Sequence, residues 1–210
     1  MPIAREGWPL VFVMLGLAAV LFLLRWPWAG GVLLALGLFT AYFFRDPERP
    51  VPADPRLVLS PADGKVIVAG PAPAGNPLGE GATQVSVFLS IFDVHINRSP
   101  VGGRISRVEY HEGEFLPAFQ DKASLANEQN SVTIDGGDPS RSVAFKQIAG
   151  LMARRIVFKK KVGDTVAAGE RVGMIKFGSR VDVFLPRDTR LRVHKGDRVV
   201  AGVSALGERP

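Results

Sequence analysis

Three stretches of the sequence place polar residues where a packed β-sheet would prefer apolar ones. They are Ser60–Lys65, Phe92–Pro100 and Gly173–Val183. In the first, Asp63 and Gly64 suit a type I or I′ turn, and a turn alone would account for them. In the second, strand alternation puts Asp93, His95 and Asn97 on one face, where an imidazole could transfer protons. One histidine and one carboxylate are too few ligands for a metal site.

The third stretch interrupts two apolar strands with the pair Gly178–Ser179. Glycine lets the backbone adopt a positive φ and leaves its carbonyl open to attack. The hydroxyl of Ser179 lies within intramolecular reach of that carbonyl, so proximity can supply what a weak nucleophile lacks. Gly-Ser pairs are also common in turns, so this pair by itself does not identify a reactive bond.

The elements that must position these residues are mainly short β-strands punctuated by Gly, Pro, Asp or Asn. The predicted strands are Val66–Ala69, Gln84–Ile91, Gly103–Tyr110, Ser131–Ile134, Ser142–Ile148, Arg155–Lys159, Arg171–Phe177, Val181–Leu185 and Arg190–Val193. Only Phe119–Asn130 has a helical pattern. Residues 57–210 are therefore predicted to form a mainly β domain, a compact sandwich or barrel-like fold with few helices.

One segment of the predicted β domain is repeated. Gly163–Gly169 and Gly196–Gly202 share the pattern G-D-x-V-x-A-G. Each copy reads as a Gly-Asp turn that feeds a short strand, which predicts two related hairpins facing one another. Lipoyl-type carrier domains use similar hairpins, but their modified lysine sits at a turn tip, whereas Lys176 lies in an apolar strand. The lipoyl-like repeat therefore predicts architecture rather than carrier chemistry.

Before the β domain, Trp8–Leu24 and Trp26–Phe44 contain no charged residue and are separated only by Arg25. At about 1.5 Å per residue these helices would reach about 26 and 28 Å, close to the ~30 Å hydrocarbon core of a bilayer. The three tryptophans lie at the ends of the stretches, as at a membrane interface. Residues 1–44 are predicted to form a membrane-anchoring helical hairpin, either two short spans or a shallow insertion.

The residues that follow the hairpin are rich in proline, so residues 45–56 are predicted to be a stiff, extended linker. Basic residues flank the hairpin, whereas its connection holds a single arginine. They are Arg5 before it and Arg45, Arg49 and Arg56 after it. The positive-inside rule then places both ends of the hairpin, and the β domain, in the cytoplasm.

The composition narrows the function classes. The chain has 210 residues, of which 47% are hydrophobic, so it is neither a large multidomain protein nor disordered by composition. Lys and Arg total 26 against 20 acidic residues, and this bias favours anionic partners such as phosphate groups or acidic lipid, without excluding nucleic acid. The absence of cysteine excludes disulfides, thiolate nucleophiles and cysteine-ligated metals.

Six motifs, taken in order, cover almost the whole chain. They are Phe43–Pro47, Ser60–Gly64, Asp93–Pro100, Lys122–Ser124 with Asn127–Glu128, Gln147–Gly150 with Arg154–Arg155, and Gly173–Arg180. Together they resemble phosphatidylserine decarboxylases of the short, membrane-associated form found in bacteria and archaea. Six ordered motifs are far more specific than any one of them.

This resemblance implies that a proenzyme cleaves itself between Gly178 and Ser179. The products would be a β chain, residues 1–178, and an α chain, residues 179–210, which stay associated because the strands on either side of the break share one sheet. Ser179 would become a covalent pyruvoyl cofactor, and no metal would be needed. The amine of phosphatidylserine would form a Schiff base with that group, lose CO2 and leave as phosphatidylethanolamine.

Among the other residues of these motifs, the resemblance implies that His95 moves protons and that Asp63 assists self-cleavage. Longer members carry a second histidine three residues after the first and a Leu-Gly-Ser-Thr cleavage sequence, whereas this chain has Arg98 and Phe177–Arg180. Either His95 then serves both steps, or Asp63 acts on Ser179 more directly. Arg98 would contact the substrate carboxylate or phosphate, or would carry an outward surface charge.

The apolar run Phe115–Phe119 has two interpretations: Phe115 and Phe119 belong to an exposed loop that admits the lipid substrate or dips into the bilayer, or they pack in the core. The implied partners are an anionic phospholipid and the inner, cytoplasmic membrane, with no nucleic acid. A homo-oligomer is left open, as is the choice between diacyl lipid and archaeal-type ether lipid, because both would present the same serine head group.

Two other function classes fit the same residues. The first is a non-enzymatic adaptor, in which the hairpin tethers a lipoyl-like domain that binds another protein. The second is a membrane hydrolase that uses Ser179, His95 and Asp63 and stays uncut. A chain cleaved at position 179 would separate the decarboxylase from both.

Overall fold

The computed structural model of the chain describes residues 2–120, 122–138, 141–151, 156–176 and 178–209. Arg154, Arg155 and Phe177, which belong to the motifs above, lie outside the described residues. The chain forms two compact units, Met1–Glu48 and Arg49–Pro210. The division falls inside the predicted linker.

The first unit is a helical hairpin of α1 (Trp8–Leu23) and α2 (Pro27–Phe43). Pro27 begins α2, where its fixed φ suits a helix and its missing N–H would have no partner. The helices approach closely at Gly37, which has no side chain: a Cβ there would lie only 3.1 Å from the Leu15 side chain. The predicted hairpin is therefore present. Within the described part of the chain, no helix has both the length and the apolar character required to span a membrane.

The second unit is built almost entirely of strands. Its described residues form β1 (Leu57–Leu59), β2 (Gly64–Pro71), β3 (Thr83–Leu89), β4 (Ile96–Arg98), β5 (Gly103–His111), α3 (Ala123–Ala126), β6 (Gln129–Asp135), β7 (Val143–Ile148), β8 (Ile156–Phe158), β9 (Thr165–Val166), β10 (Arg171–Ile175), β11 (Ser179–Leu185), β12 (Arg190–Leu191), β13 (Arg198–Val199) and β14 (Ala205–Glu208). The predicted mainly β fold with few helices is confirmed.

The strands make one large, curled sheet and two small ones. The large sheet has the order β13-β2-β3-β11-β7-β6-β5-β9, and the small sheets have the orders β1-β14-β12 and β4-β10-β8. Alternate residues of the central strands, such as Val87, Phe145, Val181 and Val183, are fully buried and form the core. The large sheet therefore surrounds the apolar core with its middle strands, and β11 lies at its centre.

An internal two-fold repeat organises this unit. Ser60–Val66 and Ser99–Ile105 share the pattern S-P-x-x-G, followed by a basic and an aliphatic residue. Each serine hydroxyl donates to the carbonyl two residues further on at 2.7 Å. Each serine carbonyl accepts from the last glycine of one G-D-x-V-x-A-G copy, Gly202 or Gly169, at 2.8 Å. The two copies therefore occupy equivalent places, with β13 and β9 at opposite edges of the large sheet.

Two expectations about the elements are wrong. Of the described residues in the predicted helix Phe119–Asn130, only Ala123–Ala126 are helical, because the amide of Asn127 binds two other segments and β6 begins at Gln129. The strands before and after the predicted cleavage point do not share one sheet: β10 lies in a small sheet and β11 in the large one. A lipoyl-like form of the hairpins stays a prediction.

Candidate active site

Ser179 is the first residue of β11, which pairs with β3 on one side and β7 on the other. Its side chain is fully buried, and in the described part of the chain its hydroxyl has no hydrogen-bond partner. A buried hydroxyl without a partner is unusual, because its desolvation is not compensated. Strand pairing therefore fixes this serine beside a residue whose carbonyl it could attack, with its oxygen uncommitted.

Gly178 carries the chain from the small sheet into β11 with φ +66°, as the sequence predicts for a glycine at this point. Its carbonyl oxygen packs against Gly150, two residues after the end of β7. A Cβ on Gly150 would lie only 2.2 Å from that oxygen. The peptide group before Ser179 is thus held at a close backbone contact that only glycine permits.

His95 is fully buried and reaches the same peptide. Its Nδ1 lies 2.9 Å from the carbonyl oxygen of Asp93, which can only accept, so Nδ1 carries the proton. Its Nε2 then carries the lone pair and accepts a weak hydrogen bond from the backbone N–H of Gly178 at 3.4 Å. The structure brings His95, Gly178 and Ser179 together, as expected of a proton-transfer site.

Asp63 precedes β2, which is separated from β11 by β3. Its carboxylate forms an ion pair with Arg49 at 2.8 Å and accepts a hydrogen bond from the backbone N–H of Ala201 at 2.7 Å. Asp63 therefore joins the start of the second unit to the turn that follows β13. An additional contribution to self-cleavage stays a prediction.

Arg98 is buried rather than outward-facing, so the surface-charge interpretation is wrong. Its guanidinium donates to the carbonyl of Gly169 at 2.9 Å, and its aliphatic part lies against Gly202, where a Cβ would approach Cδ to 2.8 Å. It fills the space where the two repeat copies meet. Substrate contact by Arg98 stays a prediction.

A buried ion pair, which no local sequence pattern predicts, lies next to Ser179 in β11. Arg180 Nε donates to Asp182 at 2.6 Å, and both side chains are almost inaccessible. Ser86 accepts from the guanidinium at 2.9 Å, and Ser124 donates to Asp182 at 2.7 Å. This network ties α3 and β3 to the strand that begins at Ser179. A signal was present, since Ser124 and Arg180 belong to the quoted motifs.

A chain of buried amides lies on the other side of the site. Gln147 donates to Asn97 at 2.9 Å and accepts from Asn130 at 3.1 Å. These contacts connect β4 of a small sheet to β7 and β6 of the large sheet. Within the described residues, Nδ2 of Asn97 has no partner. The amides therefore fix the relative positions of the sheets that carry His95 and Ser179.

An apolar pocket of about 350 Å³ opens beside Gly178. It is lined by Phe88, Ile91, Pro117, Ala118, Phe119, Leu151 and Gly178. Phe119 is exposed at its rim, whereas Phe115 is partly buried against the core. The two interpretations of the apolar run therefore divide between the two residues: Phe119 lines a pocket, and Phe115 packs.

Asn127 holds this pocket's loop in place. Its amide exchanges two hydrogen bonds with the backbone of Leu116 and donates to the carbonyl of Ala149, the residue before Gly150. The loop that carries Phe119 and the segment after β7 that carries Gly150 are thereby joined.

Among the described residues, no group of three or more His, Asp or Glu side chains could hold a metal ion.

The sequence profile of the family named phosphatidylserine decarboxylase matches residues 36–207. Curated relatives named phosphatidylserine decarboxylase proenzyme are similar over nearly the full length. That of Symbiobacterium thermophilum is 47% identical over 210 residues, 99% of this chain and 96% of the relative. That of Solibacter usitatus is 48% identical over 202 residues, 95% and 94% of the two chains, and that of Geotalea uraniireducens is 44% identical over 209 residues, 100% and 97%. The chain belongs to the phosphatidylserine decarboxylase family.

Proposed function

We propose that the chain is a self-processing proenzyme whose product converts phosphatidylserine to phosphatidylethanolamine and CO2. The observation that carries this proposal is the Gly178–Ser179 peptide, with its positive φ and with a buried serine hydroxyl that no described residue binds. The relatives' name, which calls them proenzymes of this decarboxylase, supports the same reaction.

In the first step, Ser179 Oγ attacks the carbonyl carbon of Gly178, and the peptide C–N bond breaks as an ester forms. The hydroxyl proton goes to the released amine by way of His95, whose Nε2 lone pair faces this segment. Elimination across Cα–Cβ of residue 179 then frees the carboxylate of Gly178. Addition of water and loss of ammonia leave a pyruvoyl group at the start of β11.

The residues present fit such a group. Position 179 is buried between β3 and β7, and its unpartnered oxygen occupies the place where the new group would form. When formed, the group supplies an electron-accepting ketone for the substrate amine. His95 is positioned to hold and move a proton there.

A lipid substrate fits the surroundings of the site. The apolar pocket next to Gly178 would accept the apolar part of a phospholipid, with Phe119 at its entrance. The net charge of +6 favours an anionic lipid surface. The fit of the pocket would decide which head group and acyl chains are preferred. Arg98 is too deeply buried to be the first residue that an incoming lipid contacts.

The helical hairpin would bring the enzyme to its substrate. Both helices are apolar on all sides, and seven of their large side chains are more than half exposed: Phe12, Val13, Leu17, Leu23, Trp28, Val32 and Leu38. Such surfaces are stable in lipid rather than in water. We propose that residues 1–44 insert into the cytoplasmic membrane, with the β domain on the cytoplasmic side.

Intact-mass measurement of the purified chain tests the proposal. The expected result is two fragments, the smaller beginning with a pyruvoyl group at position 179, and production of phosphatidylethanolamine from phosphatidylserine. Ser179→Ala should give one uncut, inactive chain with the same circular dichroism spectrum. A wild-type chain that stays continuous would contradict the proposal and would favour the adaptor or, with esterase activity, the hydrolase.

A further inference from the structure

A pocket of about 330 Å³ lies at the place in one half of the repeat that corresponds to Asp63 in the other. The shared pattern matches Asp63 with Gly102, and Ala201 with Ala168. In the first half, Asp63 accepts a hydrogen bond from Ala201 N–H. In the second half, a Cβ on Gly102 would stand 3.5 Å from Ala168 N, and both residues line the pocket.

The pocket wall contains Arg141 and Arg209, and Gly102 stands where the other half has the acid Asp63. Arg209 is 8% exposed and donates to the carbonyls of Arg141 and Pro55, each at 2.6 Å. In the described part of the chain its Nε has no partner. Burial lowers the pKa of Arg209 below its ordinary value, and the nearby charge of Arg141 lowers this pKa further. The wall therefore holds a buried cation with an unused donor beside a second cation.

The nearest acid in the wall is already committed to another residue. Asp54 lines the pocket, but its two carboxylate oxygens accept from the Arg56 side chain at 2.9 and 3.2 Å. Hydrogen bonding to Arg56 holds the pKa of Asp54 below its ordinary value. Arg56 also pairs with Glu208 at 3.2 Å, and within the described residues no ion pair is recorded for Arg141 or Arg209.

We propose that this pocket binds a small oxyanion of the phosphate class, held by the Arg141 guanidinium and the backbone N–H of Ala168, with the buried positive charge of Arg209 behind them. The anion takes the place that the Asp63 carboxylate fills in the other half. Two sources share this chemistry, inorganic phosphate and the glycerophosphate part of a lipid head group. The volume accommodates either one. The site does not depend on self-cleavage.

Calorimetric titration of the full-length chain with inorganic phosphate, at constant ionic strength, measures this binding. Arg141→Gln removes an exposed guanidinium and leaves the backbone carbonyl that Arg209 uses, so folding should be unaffected. The variant should bind phosphate about tenfold more weakly, the effect of one charge-assisted donor. Glycerophosphate in a parallel titration identifies the source, since the tighter ligand is the natural class.

Gly102→Asp provides a second variant that does not rely on removing an arginine. The backbone at Gly102 is not in the left-handed region, and its Cβ would meet only ordinary contacts. The new carboxylate should reach Ala168 N–H, raise the melting temperature in phosphate-free buffer and abolish the phosphate response. Gly102→Asn, of equal size without charge, should not raise the melting temperature. Equal phosphate affinity in wild type, Arg141→Gln and Gly102→Asp would overturn the proposal.

Discussion

The absence of a side chain at Gly150 allows the Gly178–Ser179 peptide, the proposed cleavage site, to take its position. The carbonyl oxygen of Gly178 lies only 2.2 Å from the position that a Cβ on Gly150 would take. Ser179, Gly178 and His95 are singled out by the resemblance of six ordered motifs, because a Gly-Ser pair or one histidine by itself does not identify a reactive site. The role of Gly150 could not be predicted, because it depends on a contact between segments that are distant in sequence.

Gly150→Ala should therefore slow self-cleavage. The new methyl group would stand 2.2 Å from the Gly178 oxygen, and ordinary contact begins near 3.4 Å, so the peptide must move by about 1 Å. A displacement of this size slows such reactions by about 100-fold. The measurement is a time course of intact mass after synthesis.

Gly70→Ala is the matched control for this variant, because a Cβ on Gly70 meets no atom within 4 Å and the residue is not in the left-handed region. It should cleave at the wild-type rate. If folded Gly150→Ala also cleaves at that rate, the carbonyl does not depend on the contact with Gly150.

The buried pair Arg180–Asp182 illustrates a second limit of the sequence at this scale. Charged residues that alternate with valines in a strand normally predict a solvent-facing side. Here that side is covered, and Asp182 receives the hydroxyl of Ser124 near α3. Nothing in the local pattern distinguishes a covered face from an exposed one.

At the level of elements, strand patterns predicted most of the large sheet because its strands are long and apolar. The short strands β1 and β4 were missed, since three residues are too few to show a period and β4 contains the polar pair Asn97–Arg98. The repeat G-D-x-V-x-A-G was visible, but its partner S-P-x-x-G was not. Equivalent hydrogen bonds in the structure connect the two patterns.

The turn of the first repeat copy offers a test by pH. Glu170 accepts from Lys160 at 2.6 Å and from the backbone N–H of Ala167 at 2.8 Å. These bonds, chiefly that from Lys160, hold the pKa of Glu170 below its ordinary value. Because the folded pKa is lower than the unfolded one, the stabilisation is present above the unfolded value, about 4.3, and is lost as the pH falls through the folded pKa.

Glu170→Gln in the uncut Ser179→Ala background should lower the free energy of unfolding at pH 7 by about 0.5 kcal/mol, the usual size for a partly exposed pair. The difference should shrink in acid, below about pH 4. Urea unfolding at both pH values measures it. Glu80→Gln is the control, because Glu80 is exposed and has no recorded partner among the described residues; a difference that does not vary with pH would contradict the assignment.

For the molecule as a whole, the exposed apolar hairpin is the feature that composition alone predicted best. Phe12→Glu replaces a side chain that is 65% exposed, so it should not disturb the fold of α1. In a membrane the variant would bury less apolar area and would place a charge in the lipid. Together these changes should cost about 3 kcal/mol of binding free energy and weaken partitioning into vesicles roughly a hundredfold. Co-sedimentation with anionic vesicles measures the effect.

Val162→Glu, in the β domain, is the matched control for this measurement. Val162 is 56% exposed, so the substitution changes charge and exposed apolar area in a comparable way. It should leave vesicle binding nearly unchanged. Equal loss in both variants would mean that the hairpin is not the membrane anchor.

The central position of β11 has a consequence for the lifetime of the processed enzyme. The shorter product would keep its first strand sandwiched between β3 and β7, while β13 and β14 pair with β2 and β1. Dissociation of the two cleavage products would require strand pairs in two sheets to break together. The two products would therefore unfold in one cooperative transition. Once denatured, the two products could refold only by associating with each other, at a rate that depends on their concentration. Cleavage therefore makes unfolding of the mature enzyme much harder to reverse than unfolding of the uncut chain.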